Sequence, residues 1–214
     1  MNTGLLFTVI LILAGVASLQ FYRGRKLNLM LMEHYIKVMR EVVKPEDENY
    51  TWLGGYIGFR AEYLVNKGNI KKFEFTLTLL PRHSLLYFPI SLATSRHDKL
   101  YVVVRPLSEI KREAHLIQKG YYRLGLDIDN IDVLNREIIE IDGKKYHALY
   151  RKRRDIDELK AFVERFKTPR NVKHVAMTPD TNVFYVQMKP DPETISEDAK
   201  NIVRFVNERL PKRW

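Results

Sequence analysis

The sequence predicts an α+β protein: a single N-terminal transmembrane helix followed by a cytoplasmic domain with a largely antiparallel sheet and packed helices. Three observations predict it. All 36 Lys and Arg and all 26 Asp and Glu fall after Tyr22, which leaves an uncharged apolar leader. Two turn signatures, Asn66-Lys67-Gly68-Asn69 and Asp142-Gly143, join runs of alternating apolar and polar residues. Apolar residues at three- and four-residue steps recur after the leader and late in the chain, as amphipathic helices require. The 214 residues suffice for one packed domain, and a hydrophobic fraction of 45% argues against global disorder.

The leader, Gly4 to Phe21 within a span at 4–22, reads GLLFTVILILAGVASLQF. At about 1.5 Å per residue it covers roughly the 30 Å hydrocarbon core of a bilayer. Its eleven strongly apolar side chains favour insertion by about 3–6 kcal/mol. A cleaved signal peptide is the rival reading, with Gly15-Val16-Ala17 as its small-residue site, but Met-Asn-Thr-Gly lacks the basic n-region. Arg23, Arg25, Lys26, Lys37 and Arg40 follow the span and no basic residue precedes it. The positive-inside rule then places the N-terminus outside and the rest in the cytoplasm, at the cell membrane.

The remaining elements follow in order. Residues 23–44 form an amphipathic juxtamembrane helix with Leu27, Met30, Leu31, His34, Val38 and Val42 as its stripe and Pro45 at its end. It either continues the first helix as a stalk or lays that stripe on the domain, which occupies 50–214. Ile57 to Val65 and Phe73 to Leu79 pair as a hairpin. Pro81 to Asp98 is apolar but irregular, a short helix or a loop against membrane or partner. Lys99 to Arg105 is a strand, and Ser108 to Lys119 reads as a helix or an irregular crossing. A second hairpin joins Arg136–Ile141 to Lys145–Tyr150. Asp155 is placed to cap a helix reaching Lys167, with Ile156, Leu159, Phe162, Val163 and Phe166 inward. Strands at 172–177 and 183–188 precede a last helix that begins near Pro192, buries Ile195, Ala199, Ile202, Val203, Val206 and Leu210, and closes at Pro211.

Catalytic and cofactor motifs do not emerge. The chain has no Cys, which excludes thiolate chemistry and disulfides. The histidines at 34, 83, 97, 115, 147 and 174 lack ligand spacing. Asp127, Asp129 and Asp132 fail the EF-hand pattern, which needs Gly where Asp132 stands and Glu where Ile138 stands. Gly54-Gly55-Tyr56-Ile57-Gly58 lacks the Lys-Ser/Thr of a phosphate loop and reads as a turn. Ser84, Ser91, Ser95 and Ser108 have no nucleophile-elbow frame, and Asp155, Asp157 and Glu158 suit a helix's first turn. Basic clusters say more, given a net charge of +10. Arg151, Lys152, Arg153 and Arg154, with Lys144 and Lys145, are the candidate anion- or RNA-binding residues; Lys71-Lys72 and Lys212-Arg213-Trp214 are lesser clusters. The bland alternative for all of them is a solvated charged face.

The order of elements resembles the endoplasmic-reticulum coiled-coil-domain family also called calumin, a subunit of the PAT intramembrane chaperone complex beside the Sec translocon and ribosome. The resemblance rests on FYRGRKLNLMLMEHYIKVMREVV, IGFRAEYLV, FEFTLTLLPR, KLYVVVRP, NVFYVQMKP and SEDAKNIVRFVNERLPK. The family's acidic region before the anchor and its charged coiled coil after the last helix have no counterpart here. The resemblance implies a compact prokaryotic relative of archaeal type that assists membrane-protein insertion. Its expected partners are a Sec-type translocon or a multipass membrane protein, the ribosome, and anionic lipid, with no small-molecule substrate. Leu85, Leu86, Tyr87, Phe88 and Leu92 are its candidate docking surface. The competing readings are a membrane-bound hydrolase or nuclease with a site assembled from distant acidic residues, and an anionic-lipid scaffold.

Overall fold

The structure, a computed structural model, describes residues 3–122 and 133–210. Thr3–Val43 is one helix, α1, so the segments at 4–22 and 23–44 form an unbroken rod about 60 Å long. Its first half stands clear of the domain with Leu5, Phe7, Leu11 and Leu19 exposed, and it is long and apolar enough to cross a membrane. Its second half docks through Asn28, Met32, Tyr35, Met39 and Val43. The expected stripe is therefore corrected: Leu27 and Met30 are exposed, while Leu31, Val38 and Val42 pack only at the margin. The seam is rotated by about one residue, ~100°, because it is built around a polar group. Asn28 Nδ2 donates to the carbonyls of Tyr56 (2.8 Å) and Leu80 (2.9 Å).

Among the described residues nine strands follow, each antiparallel to its neighbours: β1 (Asp47–Trp52), β2 (Gly58–Lys67), β3 (Ile70–Thr78), β4 (Lys99–Pro106), β5 (Ala114–Gln118), β6 (Asn135–Ile141), β7 (Lys144–Tyr150), β8 (Val172–Thr178) and β9 (Val183–Met188). They form one sheet in the order β1-β2-β3-β4-β9-β8-β5-β7-β6. The α+β class with an antiparallel sheet is as expected. Two strands are not. β1 is a polar edge strand, held by the Arg40–Glu48 ion pair and by the Tyr50–Tyr63 hydroxyl contact at 2.8 Å. β5 lies within the stretch expected to be a helix or irregular crossing. It is a short central strand, buried along its whole length between β7 and β8.

Helices α3 (Arg153–Glu164) and α4 (Ile195–Arg209) join the second half of α1 on one face of the sheet. Phe162 and Phe205, with ring centroids 4.7 Å apart, close the core against Phe184 of β9. Lys152, not Asp155, occupies the N-cap of α3, and its side chain makes no capping bond. Asp155 instead receives Arg112, whose guanidinium also reaches Glu158 and the Arg209 carbonyl. The short α2 (Tyr87–Thr94) lies in the connection from β3 to β4. Pairing defines two ends of the sheet. Gly58, Thr78, Lys99, Met188, Gln118 and Lys144 mark the end beside α2, and Pro106, Val183, Ala114 and Tyr150 mark the far end.

Candidate functional site

Two cavities lie at the end of the sheet beside α2. The first is an apolar groove of about 1200 Å³ between α1 and α2, walled by Ile10, Leu13 and Ala17 on one side and by Leu86, Tyr87 and Ile90 on the other. No residue of α2 is buried. Leu86 and Tyr87 are 76% and 68% exposed, a display of apolar surface that a water-facing helix does not maintain without cause. The link before α2 is fastened to α1. Gln20 Nε2 donates to the Arg82 carbonyl at 2.7 Å, Gly24 lets that backbone pass, and Arg82 forms a two-pronged pair with Asp98 (3.0 and 2.7 Å). The candidate docking residues Leu85, Leu86, Tyr87 and Leu92 are exposed on this segment, and Phe88 is half-buried.

The second cavity, about 650 Å³, is polar. Five adjacent strands, β4, β9, β8, β5 and β7, bring residues to it. Its cations are Arg96, Lys99, Lys119, Lys144 and Lys173, and no carboxylate lines it among the described residues. Lys173 Nζ donates to Gln118 Oε1 (2.7 Å) and to the Arg170 carbonyl (2.8 Å), both neutral. Burial, reinforced by the charges of Lys144 and Lys189, pushes its pKa down to about 8. Tyr101, Tyr121, Tyr122 and Tyr185 gather around Gln187, which donates to Tyr121 and accepts from Tyr122 (3.1 Å) and Tyr185 (3.3 Å). Burial raises the pKa of all four phenols, so they remain protonated donors.

The six candidate anion-binding cations lie at two places. Lys144 lines the polar cavity and Lys145 sits beside it at the exposed β6–β7 turn. The Arg run lies at the far end of β7, seven residues or about 20 Å away. There Arg151 holds Glu113 at 2.9 Å, Arg153 holds Glu137 and Asp157, and Arg154 holds Glu158 at 3.2 Å. Much of that charge is spent on local ion pairs. The apolar docking surface and the Arg run thus occupy opposite ends of the sheet. Nothing in the sequence announced the polar cavity, since each strand contributes single residues that only the strand order unites.

Among the described residues no group of three or more His, Asp or Glu is placed to hold a metal. Asp127, Asp129, Asp132, Pro211 and Lys212-Arg213-Trp214 lie outside the described residues. Fold and cavities define an α+β protein on a long apolar-tipped helix, with an apolar groove and a basic cavity side by side. No protein-family model matches the chain, and no curated protein matches it.

Proposed function

We propose that this protein is a membrane-anchored, non-enzymatic docking factor for membrane-protein insertion, with α1 crossing the bilayer from an external N-terminus and the sheet in the cytoplasm. The observation that carries the reading is α2. Its unburied Leu86, Tyr87 and Ile90 face the same groove as Ile10, Leu13 and Ala17 of α1. Ile10 lies about 16 Å along the helix from Phe21, so a spanning α1 carries α2 into the hydrocarbon layer. The groove then opens sideways into lipid and suits an apolar helix of a multipass membrane protein or a Sec-type translocon. Tethering supports modest contacts with a high local concentration of such partners.

A photoreactive residue at Ile90 in native membranes tests this. The expected product is an adduct with a polytopic membrane protein, weakened by Leu13→Asp. Adducts with lipid alone, or release of the intact chain from membranes by alkaline carbonate, would overturn the reading.

A further inference from the structure

We propose that the basic, tyrosine-lined cavity binds the phosphate of an anionic phospholipid headgroup, with the lipid's chains in the bilayer beside α2. The first argument is charge. Three other half-buried cations of this protein sit on carboxylates: Arg82 on Asp98 at 2.7 Å, Arg112 on Glu158 at 2.7 Å and Lys72 on Glu62 and Glu74 at 2.6 and 2.7 Å; a fourth, Arg25, lies over the Tyr56 ring at 4.5 Å. Among the described residues, Lys99 and Lys173 make no such pair. Cations drawn together in a partly dehydrated hollow repel one another, and the depressed pKa of Lys173 expresses burial first and then the nearby charges of Lys144 and Lys189. An anion seated among them relieves both costs.

The second argument is chemistry and size. Phosphate oxygens accept from ammonium and guanidinium groups, and the Tyr121 hydroxyl, which accepts from Gln187, has its own proton to add as a neutral donor. Tyr121 also stacks on His97, with centroids 6.4 Å apart and planes 18° from parallel. A volume of about 650 Å³ exceeds what a bare phosphate needs and falls within the range of small-molecule sites.

The third argument is position. Thr94, the last residue of α2, lines both the basic cavity and the apolar groove. A headgroup in one therefore lies beside the hydrocarbon that, on the proposed placement, borders the other. The choice of a lipid as the source of the phosphate rests on the proposed membrane placement; the phosphate chemistry does not.

The test uses the full chain in phosphatidylcholine nanodiscs, with and without phosphatidylglycerol, and native mass spectrometry of retained lipid. A parallel arm titrates soluble glycerol phosphate into the phosphatidylcholine discs and reads tyrosine fluorescence. The wild type is expected to retain phosphatidylglycerol selectively. Lys99→Gln and Lys173→Met should each weaken retention about tenfold, as loss of a charged hydrogen bond does. Lys71→Gln, on the exposed far-end hairpin, should change nothing. Lys144→Gln, at an exposed turn, gives the same reading should the Lys173 variant fail to fold. Equal retention by wild type and cavity variants, or an equal loss in Lys71→Gln, would overturn the site. Binding of glycerol phosphate without retention of phosphatidylglycerol would overturn the lipid as ligand. Flotation of the wild type with phosphatidylcholine alone reads the membrane placement separately.

Discussion

Asp198 is a carboxyl buried in the first turn of α4, where sequence alone would assign it to solvent. Its Oδ2 accepts from Thr194 Oγ1 at 2.9 Å, and its Oδ1 has no hydrogen-bond partner among the described residues. Burial, with the charges of Asp191 and Glu197, pushes its pKa up to about 6 against the opposing Thr194 hydroxyl and Lys167 N–H. The unfolded chain ionises near 3.9. Between those values the folded state holds the extra proton, so stability falls as pH rises through about 4 to 6 and then levels off. Asp198→Asn removes that loss while keeping an acceptor for Thr194. The variant should be more stable than wild type by ~1–3 kcal/mol near pH 8, and the gap should close toward pH 4. Thermal melts of the two proteins across pH check this, and a gap that does not vary with pH would refute it. Burial also lowers the pKa of His115, for which the sign is opposite: its contribution is lost as pH falls below about 6.5.

At the scale of elements, Gly24 sets a close approach between helix and link. A Cβ there would lie 2.2 Å from the backbone carbonyl of Arg82 and 2.4 Å from the His83 nitrogen. Helix propensity alone makes Gly→Ala favourable by about 1 kcal/mol. Here the added methyl has to displace backbone, so Gly24→Ala should instead destabilise the protein by ~1–3 kcal/mol. A lowered melting temperature checks it, and a raised one would show that the Arg82–His83 backbone gives way freely. The same elements mark what was legible beforehand. Alternation and turn residues gave both hairpins, and Asp142 and Gly143 take the left-handed conformations (φ 50° and 66°) that the Asp-Gly pair predicts. β1 escaped because it is a polar edge strand whose partners lie on α1 and β2. β5 escaped because His115 and Gln118 break its apolar run, although the central sheet buries them. The α1 stripe was misplaced because Asn28 earns its buried position through two carbonyls that hydropathy does not see.

At the scale of the molecule, charge is distributed between the two ends of the sheet. The cations lining the polar cavity beside α2 lack carboxylate partners among the described residues, whereas Arg151, Arg153 and Arg154 at the far end neutralise carboxylates. Ribosomal contact through the far end is accordingly best tested with Lys152→Glu and Arg154→Glu, which spare the Arg151–Glu113 pair. Salt-sensitive co-sedimentation with ribosomes should fall about tenfold or more in the double variant if that end touches RNA, and unchanged sedimentation would remove it as the contact. The exposed α2 segment and the Arg run were both legible as patterns, but their separation is a property of strand order. α1 has a mechanical consequence of its own. With no break from Thr3 to Val43, it is a mast bolted to the sheet, and on the proposed placement it is stepped in the bilayer. There, a lean of ~10° pivoting at Phe21 would swing Val43 sideways by about 6 Å, making membrane thickness a steering input for everything the far end can reach.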